Sequence, residues 1–576
     1  MFAAQLDRLG NWNPQLLREL KGRLTLRNLA IVISLSLLGQ VLLVLFHLGQ
    51  LPSAYKFVNV QNLYCTGPKP YPYSQPNCLV GVNGSFIINW SLWWQDLFIL
   101  LSIFSLGLLL VAGSYLIIND LSKEERQGTL NFIRLSPQSA ETILWGKLLG
   151  VPVLFYCMLL LTLPLSIYAG LAGQLSPATL VCYYSIVAAS SLFFYSLSLL
   201  FGLVTTWLGA LQAWLGSGTF SLILMSYTLM NTGGAEMNNF AAWPRILFPT
   251  IFIPGLETAG LVGYSHNLQL SHLQWFYVPI GLTTIGLTLF ALALYGVGTL
   301  WVWRVLRRRF RSLNTTILTK AQSYTLTIIL QLVTLGFLFQ DEMRGDRYQT
   351  EMAWVYLLVL NLMLGLFLIA ALMPQRTPLV EWARYRYIRR ADSFTTPKAY
   401  RQGWLRTWLQ ELLWGEKSPA FLAIGINFVL LAIVQLPWIG LAYITNTAKP
   451  LGAAMLGMGL SLSILLIYAA IVQLYLLSTS PRRAVWAAGT IVLAITVPPI
   501  VLGILGLAPG SYGGAPFWLF TAFPWMAVES TLGRTAVFAC VSHGLAIVLL
   551  NVQFARRLRR LGESASKALL TPAPPV

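Results

Sequence analysis

Apolar runs of about 20 residues recur along this chain, and a run of that length is what an α-helix needs to cross a bilayer. They lie at roughly 29–48, 95–118, 144–170, 178–204, 208–231 and 275–303, and again at 324–340, 352–374, 419–440, 451–478, 484–507 and 533–555, the seventh being the shortest. The strands of a membrane barrel alternate in polarity over about 10 residues, whereas these runs are longer and continuously apolar. Within lipid the backbone must satisfy its own hydrogen bonds, which leaves helices. A soluble fold is excluded by composition, since 56% of the 576 residues are hydrophobic and 10% charged, against about 25% charged in an ordinary soluble domain. The expected fold class is all-α, a polytopic integral membrane protein with about twelve transmembrane helices.

The charges lie between the runs. With the N-terminus inside and the sides alternating, 31 of the 38 Lys and Arg fall on inner segments and 7 on outer ones. This is the bias that orients membrane proteins, so both termini are expected in the cytoplasm and the chain in a bacterial inner membrane. The net charge of +19 then reflects orientation, and no nucleic-acid partner is implied. Residues 1–28 are polar and the first apolar run is a full span, which reads as a retained anchor rather than a cleaved signal peptide. Asn13 to Leu24 is a basic amphipathic stretch, suited to the anionic inner leaflet of the bilayer.

Two six-helix halves are expected, residues 29–320 and 321–560, after an interfacial helix at 1–28 and before a tail at 561–576. Span six ends in Arg304, Arg307, Arg308 and Arg309, and span twelve in Arg556, Arg557, Arg559 and Arg560. Each is preceded by a short aromatic, proline-bearing stretch, Leu247 to Pro254 and Leu519 to Trp525, expected to dip into the outer leaflet. In each half the long inner loop lies between the second and third spans (119–143 and 375–418), with Ser136-Pro137 and Ser418-Pro419 near its end. Ser before Pro is also simply a good helix start.

The first of these loops contains Glu124-Glu125-Arg126-Gln127-Gly128-Thr129-Leu130, then Phe132, Leu135-Ser136-Pro137, and Trp145-Gly146-Lys147 at the next helix. This resembles the ABC-2 family of exporter permeases, in which an acidic pair, Gly-Thr-Leu, a Pro-Ser-like stretch and a Lys connect the second and third helices. Here Ser136 precedes Pro137 and Ser139 lies two beyond, which alters the usual order. The motif covers about 25 residues, and the six-span plan extends the resemblance over 1–320. It implies a coupling helix docked on a separate ATP-binding subunit. Glu124, Glu125, Arg126, Gly128, Thr129, Leu130, Phe132, Leu135, Ser136, Pro137 and Lys147 are its candidate residues. Leu130, Phe132, Ile133 and Leu135 would supply apolar contact, and Glu124, Glu125, Arg126 and Arg134 would pair with charges on the partner. Gly128 would break the incoming helix. The same residues also suit a loop resting among lipid headgroups.

The corresponding loop in the second half lacks Glu-x-x-Gly-Thr-Leu. Trp404, Leu405, Trp408, Leu409, Leu412 and Leu413 recur there at helical spacing. This is either a degenerate second coupling segment, with Trp408, Glu411, Leu412, Ser418 and Pro419 as candidates, or a surface helix. If both halves couple, one chain forms a pseudo-dimer of the units that family members assemble as a homodimer.

No phosphate-binding loop is present, because Gly415-Glu416-Lys417-Ser418 lacks the upstream glycine of Gly-x-x-x-x-Gly-Lys-Ser/Thr. The chain is expected to be no enzyme alone and to hold no catalytic, cofactor or metal site, with ATP and Mg bound by the partner subunit. The rival reading is an ion-coupled secondary transporter, which needs an ionisable group within the membrane. None of the 19 Asp and Glu falls mid-span, Asp96 and Asp120 lying at opposite ends of the second run. His543 does fall within a span, either lining a pathway or hydrogen-bonded between helices. A membrane enzyme would need clustered polar groups, yet of His47, His266, His272 and His543 only His266 and His272 share a loop. A scaffold is the remaining alternative, and the exported substrate is unspecified. Cys65 and Cys78 share the first outer loop, either disulfide-bonded on an oxidising side or as two free thiols.

Overall fold

The computed structural model describes residues 10–52, 60–71, 74–82, 84–232, 242–254, 273–312, 315–340, 347–393, 409–446, 451–511, 513–531 and 533–570. His266, His272, Trp404, Leu405, Trp408 and the last residues of the tail lie outside them. Every regular element among the described residues is helical, and isolated β-bridges join Gln61 to Asn77, Cys65 to Ile88 and Val80 to Phe86. By compactness the chain divides into two units, Met1–Gln274 with Val278–Arg311, and Trp275–Tyr277 with Ser312–Val576.

Unit 1 comprises α1 (Pro14–Arg23), α2 (Leu26–Gly49), α3 (Trp90–Gly107), α4 (Gly113–Arg126), α5 (Thr129–Arg134), α6 (Ala140–Gly150), α7 (Val153–Ala172), α8 (Pro177–Val204), α9 (Leu211–Thr232) and α10 (Thr284–Arg311). Unit 2 comprises α11 (Lys320–Gly336), α12 (Arg347–Leu372), α13 (Arg376–Ser393), α14 (Phe421–Asn446), α15 (Leu451–Leu476), α16 (Arg483–Ile504) and α17 (Arg534–Leu570). Ten helices among the described residues are long and apolar enough to cross a membrane, with α3 and α4 counting as one continuous helix. The chain is a multi-pass helical membrane protein. Of the twelve runs read from sequence, the two outside the ten are α9, interrupted by Gly216, Ser217, Gly218 and Thr219, and α11, with 17 residues.

Several boundaries differ from the sequence reading for local reasons. The third run is two helices, because Pro152 at the junction of α6 and α7 has no N–H to donate. The sixth helix starts at Thr284 rather than 275. Pro279 and Gly281 precede it, and Thr283 Oγ1 accepts from Gly286 N at 3.0 Å. The second run is longer than expected and continues to Arg126, through a π-turn at Leu108–Ala112. That turn frees a carbonyl, and the Tyr195 hydroxyl donates to Leu109 O at 2.5 Å. Only glycine fits at 113, since a Cβ there would meet the Tyr195 ring and hydroxyl.

Within unit 1, α8 packs on α10 and on α4, α3 on α7, and α2 on α7. Within unit 2, α15 packs on α17 and α12, α14 on α12, and α11 on α14. Numbered by the six apolar runs read from sequence in each half, the fourth contacts the sixth and second, the second contacts the third, and the first contacts the third, in both. The aromatic, proline-bearing stretches form short 3-10 turns, Pro249–Phe252 in unit 1 and Pro524–Met526 in unit 2. The core of unit 1 joins Ile117 and Leu121 of α4 to Ile143 and Leu144 of α6, Leu199 of α8 and Leu306 of α10. Outward faces are apolar too, as with Leu45 and Phe46 on α2 and Leu549 on α17, an arrangement that water would penalise and acyl chains would not. Cys65 and Cys78 are disulfide-bonded, with Cα atoms 4.8 Å apart.

Candidate functional site: a buried ion cluster beneath a short exposed helix

Asn13 caps α1, accepting from Leu16 N at 3.0 Å, and its Nδ2 donates to Thr142 O at 2.9 Å. This ties the start of α1 to the start of α6. The two helices approach closely because Gly146 and Gly150, one turn apart on α6, leave room. A Cβ at Gly146 would lie 2.8 Å from Leu16 N, and one at Gly150 would lie 2.5 Å from the Glu19 side chain. Gln15, Leu16 and Glu19 are buried in that groove.

The groove carries Lys147, which is 0% exposed. Its Nζ lies 2.7 Å from Asp120 Oδ2, 2.7 Å from Glu124 Oε2 and 3.8 Å from Glu19 Oε1. Arg23 of α1 adds a second cation, 2.7 Å from Asp120 and 3.2 Å from Glu19, and Arg18 lies 3.6 Å from Glu124. Three carboxylates thus meet three cations from α1, α4 and α6. Burial alone would drive a proton off Lys147, but Asp120, Glu124 and Glu19 outweigh it and hold its pKa above the usual lysine value. The three carboxylates are close enough together to bind a divalent cation, and the Lys147 ammonium fills that position.

From this base the chain turns out to the surface. Helix α4 ends at Arg126, and Gly128, immediately before α5, has a φ of +72°, the left-handed conformation glycine adopts without strain. Thr129 Oγ1 donates back to Glu124 O at 3.2 Å, and α5 follows as a single six-residue helix. Its two faces differ. Leu130 and Ile133 belong to the unit 1 core, while Phe132 is 79% and Leu135 86% exposed. Arg126, Thr129 and Pro137 are also exposed. The sequence reading assigned Leu130, Ile133 and Glu124 to a partner surface, but all three are buried within unit 1, Glu124 against Lys147. Glu125 lies 3.7 Å from Arg134, and Ser136 Oγ is buried.

In unit 2 the candidates Glu411, Leu412, Ser418 and Pro419 gather around a residue the sequence reading passed over, Lys320. Its Nζ donates to Leu412 O at 2.7 Å, to Ser418 Oγ at 2.6 Å and to Pro419 O at 3.1 Å. With no carboxylate among these three acceptors, burial pushes the Lys320 pKa down to about 8. Glu411 instead pairs with Arg386 of α13 at 3.1 Å. The unit 1 residues that sequence reasoning missed are Glu19 and Arg23, and it noted Asp120 only as lying at a helix end. Two signals were available: Asp120 and Glu124 stand four apart, hence on one helix face, and Gly146-x-x-x-Gly150 marks a close helix contact.

His543, within α17, lies with Nδ1 2.7 Å from Ser463 Oγ of α15, a hydrogen bond between packed helices. Comparison with protein-family models, with curated proteins and with solved structures returns no match.

Proposed function

We propose that the chain is the membrane-spanning permease subunit of an ATP-driven exporter, and that the α4–α6 connection docks a separate ATP-binding subunit. The observation that supports this most directly is the two-faced α5. Phe132 on α5 and Leu135 just after it stand in the open, while the other face of the helix is fixed in the core, above a charge cluster linking α1, α4 and α6. A push on such a helix reaches the bundle as a movement of whole helices, because its base does not yield. ATP and Mg belong to the partner in this reading, and the chain supplies the path.

The topology proposed has twelve spans, with α9 and α11 crossing although they are less apolar or shorter than the rest. Charge supports this. If neither crossed, residues 304–320, with six Lys and Arg, would lie outside, against the bias that orients membrane helices. The shared order of helix contacts in the two units supports a pseudo-dimer of six-span halves within one chain.

The test is to express the tagged protein with its chromosomal neighbours, purify it and assay the eluate for ATP hydrolysis. Wild type should bring down an ATPase subunit, and Phe132→Asp with Leu135→Asp should lose it while melting at the wild-type temperature, since both side chains are exposed. A wild-type preparation without an ATPase, in detergent and again in lipid, would sink the reading.

A further inference from the structure

The Lys147 cluster is internally balanced, but the opposite side of α5 is not. Arg134, the last residue of α5, has a side chain only 9% exposed. Its guanidinium carbon lies 5.6 Å from the centre of the Phe310 ring, which seats it against the C-terminal end of α10. Nη1 donates to Asn131 Oδ1 at 2.9 Å. Nε and Nη2 are buried with no hydrogen-bond partner. The nearest acid is Glu125, 3.7 Å from Nη1. A buried guanidinium with unfilled donors carries a full desolvation cost, so a missing acceptor is the economical explanation.

The surroundings add positive charge. Arg309 feels the charge of both Arg134 and Arg308. Arg308 and Arg309 have interactions of their own, so what they contribute is charge, while the open donors are those of Arg134. Glu125 is the acid within 4 Å of Arg134. Burial already draws the Arg134 pKa below the usual arginine value, with Glu125 opposing only in part. Nε and Nη2 form one straight edge of the guanidinium, the edge that matches two oxygens of a phosphate or carboxylate side by side. The like charge that Arg134, Arg308 and Arg309 exert on one another favours the more highly charged of these two anions.

We propose that Arg134, with Arg308 and Arg309 beside it, forms a phosphate-binding site between α5 and the end of α10. The phosphate is either the headgroup of an anionic lipid or a free anion. In the proposed topology this place is the cytoplasmic edge of the bilayer, where both are within reach. The proposal rests on the membrane reading and not on an ATPase partner. A bound phosphate would bridge α5 to α10 and so set how firmly the exposed helix is held.

The experiment uses the full chain in neutral detergent, with two probes. Phosphatidylglycerol is added and its retention read by native mass spectrometry, and inorganic phosphate is titrated calorimetrically. Wild type should bind at least one probe. Arg134→Gln should weaken that binding at least tenfold, and so should Arg134→Lys, which keeps the charge and removes the paired donors. Arg311→Gln, at an exposed position on the same helix end, should bind as wild type does. Loss of lipid alone assigns a headgroup site, and loss of phosphate identifies a site for a soluble anion. The proposal is overturned if wild type binds neither probe, if both Arg134 variants bind normally, or if Arg311→Gln weakens binding equally.

Discussion

Two lysines define this protein at the scale of single residues, because each is buried and their surroundings are opposite. Lys147 has carboxylates on several sides, so removing it leaves the buried Glu124 with only Arg18 at 3.6 Å and Asp120 with Arg23 alone. Lys147→Met should cost about 3–5 kcal/mol, read as a lowered melting temperature in detergent. Adding Asp120→Asn and Glu124→Gln should recover most of that loss. If the single variant melts like wild type, the cluster is not holding α1, α4 and α6 together. Lys320 faces a hydroxyl and two carbonyls, and its pKa is pushed down to about 8. An unfolded lysine titrates at about pH 10.4, well above that value. Below about pH 8 the amine is charged in both states and bears its full burial cost. As pH rises towards the unfolded value, the folded protein has released the proton and the unfolded chain still binds it. Stability from this group therefore rises with pH until the cost is gone. Wild type should gain on Lys320→Met between about pH 7 and about pH 9.5 in paired melting curves. A constant difference would mean that the amine does not titrate there.

Among the elements, α11 shows most clearly how a helix of only 17 residues is held in an apolar bundle. Ser323, Thr327 and Gln331 follow one another on one buried face. Asn427 of α14 donates to Ser323 Oγ at 2.9 Å and accepts from Thr327 Oγ1 at 2.7 Å. Gln435 donates to Gln331 Oε1 at 2.7 Å and to Asn361 Oδ1 at 2.9 Å, and Asn361 Nδ2 returns a bond to Gln435 Oε1 at 3.0 Å. Three helices, α11, α12 and α14, thus share one amide triad. Gln435→Leu should cost about 1–3 kcal/mol by stranding the groups on Gln331 and Asn361, whereas leucine at all three positions should cost less than that single change. Thermal unfolding of the two variants decides it, and a triple variant that melts lower than the single would refute the network. This triad was not legible in the sequence. The three side chains stand on three different helices, and nothing local marks them as partners.

For the whole molecule the open quantity is the number of crossings, and parity makes it testable. With twelve spans Ser312 lies inside, and with α9 and α11 both failing to cross it lies outside. A cysteine placed at Ser312 should resist a membrane-impermeant thiol reagent in intact cells and react after permeabilisation. Labelling in intact cells would refute the twelve-span topology. The sequence by itself determined that this chain is helical and membrane-embedded, because the length and apolarity of a run are local properties and lipid admits few alternatives. It also marked Gly128 as a break, because a glycine between a polar helix end and an apolar turn is visible without coordinates. Only the tertiary structure decided which side chains of the motif face outward. Leu130 and Phe132 are two apolar residues two positions apart, alike in sequence and opposite in burial, since the core of α4, α6, α8 and α10 lies on one side of α5. Likewise only the fold brought Glu19 and Lys147, 128 positions apart, into one cluster, because the contact depends on the path of the chain between them.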